Sequence, residues 1–223
     1  RFRRDHPVVP NTTYVPATAP APPGADRVVY LGHLSEARGV RDLIETARLL
    51  RPEGITTELI GGADPQATAL LRDAHRDGLV RWHGYQSNRE ALAMLEGALA
   101  GLSLLHDLPN YRHSLPTKVV EYMAHGVPVV TTPVPPAAAI VAEAGCGLVV
   151  PYEDPAAAVA AVLRLRDDPV LRARLAGRGH EAALRRFHWP HHGSVFVTRL
   201  MEWAGETRAQ ESLVDGNAAR KPT

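Results

Sequence analysis

Lys118 and Glu121 lie one helical turn apart in the stretch SLPTKVVEYMAHGVPVVTT, Ser114 to Thr132. Stability alone does not explain that arrangement. A cation in the first turn of a helix opposes the helix dipole, and lysine three residues before glutamate is the poorer order for a helical ion pair. An anion bound at the helix mouth accounts for both choices; the rival reading is a surface glutamate paired with Lys118. Gly61-Gly62 allows the backbone to come close to a ligand. Trp82 and Tyr85 offer rings on which a nucleobase could stack, although Trp82 fits core packing equally well. His188, His191 and His192 cluster around Trp189-Pro190, but they have no cysteine or clear carboxylate partner there. That spacing does not argue for zinc, and His106 beside Asp107 argues no better.

The elements that would position these groups alternate strand with helix. Leu115-Pro116-Thr117 opens the helix of Lys118 and Glu121, Val119, Val120 and Met123 line its apolar face, and Gly126 stops it before the strand Val127-Pro128-Val129-Val130. Apolar runs predict strands at 27–32, 56–60, 79–83, 99–105, 127–131 and 146–150. They are continuous rather than alternating, as in a parallel sheet covered on both faces. Ser87-Asn88-Arg89-Glu90 has the capping-box spacing for a helix reaching Gly97, and Asp154-Pro155 and Asp168-Pro169 each read as an N-cap followed by proline at the first helical position. The pattern is helical from Asp154 to Ala204. The expected fold is therefore an α/β, doubly wound parallel sheet of six strands with extra C-terminal helices, which binds ligands at the carboxyl ends of its strands.

Composition agrees with one compact domain. The 223 residues are 45% hydrophobic and 22% charged, with a formal net charge of +1, so no long-range field draws the chain to nucleic acid or to a membrane surface. The single cysteine, Cys146, excludes an internal disulfide and sits in the apolar run Cys146-Gly147-Leu148-Val149-Val150 as a buried structural thiol. No apolar run approaches the roughly 20 residues that span a bilayer, and no secretory leader is evident. On these grounds a cytoplasmic location is expected. Residues 1–26 read as a linker, Pro10 to Pro23 being rich in Pro, Ala and Thr without periodicity; residues 27–204 read as the folded domain and 205–223 as a polar, disordered tail.

From about Val8 to about Trp203 the chain resembles the C-terminal, donor-binding domain of GT-B fold nucleotide-sugar glycosyltransferases of group 1, the family 4-like enzymes. Val28-Val29-Tyr30-Leu31-Gly32-His33-Leu34, then Arg38-Gly39-Val40 and the helix Asp42 to Leu50, look like the family's opening strand, basic loop and helix. Leu59-Ile60-Gly61-Gly62 matches its second strand and glycine turn, and Val80-Arg81-Trp82-His83-Gly84 its third strand. Gly145 through Val150-Pro151 to Asp154-Pro155 matches the strand and proline-started helix after the donor motif, and Phe187-His188-Trp189 resembles its Phe-Ser-Trp signature.

The resemblance implies a Rossmann-like half of a GT-B fold that binds a nucleoside diphosphate sugar and transfers the sugar to an acceptor. It implies that Glu121 holds the ribose, whose vicinal diol suits one carboxylate accepting two charge-assisted hydrogen bonds, while Arg38 and Lys118 stabilise the leaving diphosphate. Gly32, His33, Gly61, Gly62, Tyr85, His113, Ser114, Leu115, Pro116 and Thr117 are the implied substrate-binding residues. His33 stands where the family usually has a second arginine, and an imidazole supplies less positive charge than a guanidinium near neutral pH. His113 stands where many retaining members have a glutamate, followed by Ser114-Leu115-Pro116 in place of a Pro-aromatic-Gly run; relatives with a Ser-Leu-Pro-x-Lys loop exist. Pro116 also withholds a backbone donor that glycine would offer. No metal and no cofactor beyond the donor substrate are expected. The chain reads as half an enzyme, inactive alone and lacking the N-terminal acceptor domain, which would be supplied in cis or by a separate subunit. Any membrane contact would be peripheral and through that missing half. The alternative is a non-catalytic nucleotide-binding or regulatory module.

Overall fold

A computed structural model describes residues 10–18 and 26–218. Its sheet has six strands, β1 (Arg27–Leu31), β2 (Thr56–Ile60), β3 (Arg81–Trp82), β4 (Ala100–Ser103), β5 (Val129–Thr131) and β6 (Gly147–Val149). All pairs are parallel, in the order β3-β2-β1-β4-β5-β6. Among the described residues eight α-helices accompany it: α1 (Val40–Leu50), α2 (Pro65–Arg76), α3 (Asn88–Ala93), α4 (Thr117–Ala124), α5 (Pro135–Ala144), α6 (Pro155–Asp167), α7 (Pro169–Arg186) and α8 (Trp189–Ala218). Every predicted strand is present at its expected place, because an apolar run buried on both faces has few other stable solutions.

The period-two alternation of β1 divides the core. Val28 and Tyr30 join the layer under α1, α2 and α6, while Val29 and Leu31 join the layer under α3, α4 and α5. Helix α7 contributes to both, Leu171 and Leu175 to the first and Ala182 and Ala183 to the second. The caps read from sequence form as expected. Asp154 accepts from Ala157 N at 2.8 Å, Asp168 accepts from Leu171 N at 2.8 Å, and Ser87 and Glu90 close a reciprocal capping box. Helix α3 ends at Ala93, and turns carry the chain on to Gly97.

Strand order reverses between β1 and β4, so the chain leaves their carboxyl ends in opposite directions and opens a crevice. Tyr122 of α4 fills the gap behind that crevice. Leu31 N donates to the Tyr122 hydroxyl at 2.8 Å, and the hydroxyl donates to Leu102 O at 3.1 Å, joining β1 to β4 beyond their last paired residues. Gly101 makes room for the ring, since a Cβ there would lie 2.4 Å from it.

Of the linker expected over 1–26, residues 1–9 and 19–25 lie outside the described residues. The stretch 10–18 is fastened to the domain. Thr13 N donates to Phe187 O and Trp189 N to Thr13 O, both at 2.9 Å; Val15 N donates to His188 Nδ1 at 3.1 Å, and His180 Nε2 to Pro16 O at 2.8 Å. The Phe187-His188-Trp189 signature is thus where this strap docks. The α8 backbone stays helical through Ala218, past residue 204, and 219–223 lie outside the described residues.

Candidate functional site at the switch point of the sheet

Three loops at the carboxyl ends of β1, β2 and β3 are hydrogen-bonded into one surface. Gly32 N donates to Ile60 O, Leu34 N to Gly62 O, both at 2.9 Å, and Gly61 N to Gly84 O at 2.8 Å. Gly61 has φ +143°, and a Cβ there would lie 2.0 Å from Gly32 O, so only glycine fits between the two loops. Trp82 is half-buried against the core and donates from Nε1 to Gly61 O at 2.9 Å. Its role is to hold the glycine turn rather than to offer a face for stacking. Tyr85 is 84% exposed.

Arg38 ends a 3-10 turn, Glu36–Arg38, closed by Gly39 at φ +77°. A Cβ at Gly39 would meet Leu104 O at 2.1 Å, so this turn presses against the chain leaving β4. Opposite it, α4 begins at Thr117 with Pro116 at the N-cap and no side-chain cap. Val119 N donates to Pro116 O at 3.0 Å, while no side-chain oxygen caps the amides of Thr117 and Lys118, the condition under which a helix start receives an anion.

Lys118 is the least expected feature of this wall. It is 5% exposed, and its Nζ has no hydrogen-bond partner among the described residues. The ammonium lies 3.8 Å from the centroid of the Tyr30 ring, whose hydroxyl donates to His33 O at 2.7 Å. Burial, with the nearby Arg38 guanidinium adding to it, holds the Lys118 pKa well below the ordinary lysine value, partly offset by Glu121. The Lys118–Glu121 surface pair is therefore not what forms: Lys118 points inward without hydrogen-bonding to Glu121. The Glu121 carboxyl is half-buried, and burial raises its pKa against the opposing pull of Lys118.

A cavity of about 560 Å³ lies between these elements. Of the residues singled out in the sequence, Gly32, His33, Arg38, Gly61, Gly62, Tyr85, Pro116, Thr117, Lys118 and Glu121 line it. His113, Ser114 and Leu115 do not. Ser114 N donates to Tyr111 O at 3.2 Å, and the bidentate Arg112–Asp107 pair, at 2.9 and 2.8 Å, closes a turn that leaves His113 and Ser114 exposed. Leu115 instead packs toward the core and accepts from Asn11 Nδ2 at 2.9 Å. The lining also includes Leu31, Ile60, Gln86, Asn88, Ala91 and Leu105, which sequence reasoning missed. Leu31 and Ile60 could have been found as strand-end residues and Asn88 as the residue after a capping serine; Gln86 carried no signal. A smaller cavity of about 350 Å³ shares Asn88 and Glu121 and is bounded by Thr13 of the strap and Trp189 of α8.

The sequence profile of the family described as glycosyl transferases group 1 matches residues 25–168, well over half of the chain. The chain belongs to that family. A curated relative, the glycogen synthase of Mycobacterium tuberculosis, is 29% identical over 178 residues, which cover 78% of this chain and 41% of the relative. The chain thus spans well under two thirds of that relative's length. Among solved structures, Anabaena HepE in complex with UDP superposes with a TM-score of 0.66 at 17% identity, over 80% of this chain and 49% of that one. The C-terminal domain of LpcC, a group 1 glycosyl transferase of Francisella tularensis, superposes with a TM-score of 0.60 at 18% identity, over 74% of this chain and 88% of that domain. At these identities the superpositions establish the fold: this is the Rossmann-like C-terminal half of a GT-B architecture.

The remaining sequence candidates have structural partners. His188 accepts from Val15 N, His192 Nε2 contacts Arg186 O at 2.8 Å, and His106 Nε2 lies 2.8 Å from Asp42 Oδ2 rather than turning to Asp107. Among the described residues no group of three or more His, Cys, Asp or Glu is placed to hold a metal ion. The Cys146 thiol is buried, and burial pushes its pKa up to about 12, which disfavours thiolate chemistry. No helix among the described residues is long and apolar enough to cross a membrane.

Proposed function

We propose that this chain is the donor-binding half of a nucleotide-sugar glycosyltransferase and that the cavity receives a nucleoside diphosphate sugar. The observation that carries the reading is Lys118, an inward-facing amine without a hydrogen-bond partner, beside Arg38 and the uncapped start of α4. A cation buried there is costly to the fold, and a diphosphate would supply the missing acceptors. It would also return to Lys118 the charge that burial disfavours. Glu121, one turn further along α4 and in the same lining, takes the ribose diol in this reading, and the glycine turns at Gly32 and Gly61 leave room for the backbone to approach the ligand. Tyr85, Gln86 and Asn88, in the same lining, are the candidates for the base. That a relative of the same fold was crystallised with UDP supports a nucleotide in this crevice.

In transfer, the bond from the anomeric carbon to the diphosphate oxygen breaks with its electron pair going to the diphosphate, an acceptor hydroxyl oxygen bonds to that carbon, and the hydroxyl proton passes to the leaving diphosphate or to water. The leaving nucleoside diphosphate gains negative charge that Arg38, Lys118 and the α4 amides offset. The acceptor must enter from a second wall, because transfer needs it aligned beside the anomeric carbon with water excluded. The isolated chain is therefore expected to bind nucleotide with at most trace hydrolysis of the sugar nucleotide. Release of nucleoside diphosphate from UDP-, GDP-, ADP- and TDP-sugars, measured with and without an N-terminal GT-B domain, tests this. Turnover that requires the second domain supports the reading. Silence of the completed protein across a broad acceptor panel would favour a nucleotide-binding module, the reading that an exposed His33 in place of a second guanidinium also favours.

A further inference from the structure

Arg38 ends an exposed three-residue turn closed by Arg38 N to Ser35 O at 3.1 Å and Gly39 N to Glu36 O at 2.9 Å, with Arg41 Nε donating to Glu36 Oε2 at 2.9 Å. The turn buries none of its residues, and its N-cap Ser35 makes no side-chain cap. The chain leaving β4 braces it from outside. Gly39 lies so close to Leu104 O that no Cβ fits, His106 N donates to Ala37 O at 3.3 Å, and the His106 ring reaches across to Asp42 in the first turn of α1, Nε2 to Oδ2 at 2.8 Å. Both side chains of that pair are largely buried, 21% and 17% exposed. An aspartate in the first turn would ordinarily be accounted for by the helix dipole. Here its carboxylate is committed to a histidine 64 residues away.

We infer that His106, held by Asp42, is a positioning residue that sets the Arg38 guanidinium against the diphosphate. Neither His106 nor Asp42 lines the cavity, so the pair acts only through the turn it clamps. The link joins the two loops that flank the crevice, the one after β1 with Arg38 and the one after β4 that leads to Pro116 and Lys118. The inference rests on the donor-site reading above.

Calorimetric titration of the 223-residue chain with its best nucleoside diphosphate and with the matching nucleoside tests it, on the parent, Arg38→Ala, His106→Leu, His106→Gln and the Arg38→Ala/His106→Leu double variant. Arg38→Ala should weaken diphosphate binding by about ten- to a hundredfold, the scale of one charge-assisted hydrogen bond. His106→Leu should weaken it by about tenfold, with nucleoside affinity unchanged, and the double variant should be no weaker than Arg38→Ala alone, since a group that acts through another is not additive with it. His106→Gln, which keeps an N–H donor near the Nε2 position, should recover most of the loss. A merely structural histidine would move both ligands alike and would show no rescue. Should His106→Leu fail to fold, Asp42→Ala carries the same expectation, and unfolding of both would make the pair structural and overturn the inference. If Arg38→Ala weakens diphosphate binding while His106→Leu does not, or if the two losses multiply, the inference falls and the donor site stands. If the parent does not prefer diphosphate over nucleoside and Arg38→Ala changes nothing, the donor site falls and the inference with it.

Discussion

Replacing Lys118 by methionine should make the protein more stable and a poorer ligand for diphosphate at once. Methionine keeps the length and flexibility of the lysine stem and removes only the amine. That amine is buried and has no hydrogen-bond partner among the described residues, a condition that costs about 1–3 kcal/mol or more for a charged group. Its stacking 3.8 Å over the Tyr30 ring returns about 0.5–2 kcal/mol. The net gain expected for Lys118→Met is then about 1 kcal/mol, or a rise in Tm of about 2–4 °C for a chain of this size. The pH dependence has a fixed sign. Burial holds the folded pKa well below 10.5, so across that interval the unfolded chain binds a proton that the folded chain does not, and the parent gains stability as pH rises. The advantage of the methionine variant should therefore be largest below the window and shrink as the pH approaches 10.5. Differential scanning calorimetry across that range, with diphosphate titrations on the same samples, measures both effects. A variant that is less stable than the parent yet binds diphosphate as tightly would refute the reasoning.

Glu121→Gln keeps shape and removes charge, so nucleotide affinity should fall by about 1–3 kcal/mol in calorimetry. Because burial raises the Glu121 pKa, the parent should lose affinity on acidification at a higher pH than an ordinary glutamate would impose. Tyr122→Phe leaves Leu31 N and Leu102 O without the bridging hydroxyl, and chemical denaturation should show a loss of about 1–3 kcal/mol; unchanged stability would remove the tyrosine from the account of the crevice. Gly61→Ala forces a Cβ to within 2.0 Å of Gly32 O at φ +143°, so a loss of about 3 kcal/mol or more is expected, together with weaker nucleotide binding; a variant that melts like the parent would contradict the packing of the two glycine loops.

How much of this was legible in the sequence depended on whether the signal was local. Val28-Val29-Tyr30-Leu31 announces a buried strand because all its side chains need cover, and Asp154-Pro155 announces a helix start because cap and proline act within a few residues. The tension between Lys118 and Glu121 was visible as a helix that contradicts its own dipole, and the structure resolves it by turning Lys118 inward. Contacts between distant segments were not legible. The Tyr122 hydroxyl between β1 and β4, the His106–Asp42 clamp and the strap from Thr13 to Pro16 on the α7–α8 junction all join residues whose types alone are ordinary. His113 and Ser114 were singled out by position in a motif, but the Arg112–Asp107 pair and the Ser114–Tyr111 bond close a turn that leaves them outside the cavity lining.

The most direct test of the account is calorimetric titration of the 223-residue chain with UDP, GDP, ADP and TDP, each beside its own nucleoside. At least one diphosphate should bind about tenfold or more tightly than its nucleoside, the margin expected of charge-assisted contacts from Arg38 and Lys118. That margin should shrink in both Arg38→Ala and Lys118→Met. Absence of binding by all four diphosphates, or equal affinity for diphosphate and nucleoside, would contradict the assignment of this crevice as a nucleotide-sugar site.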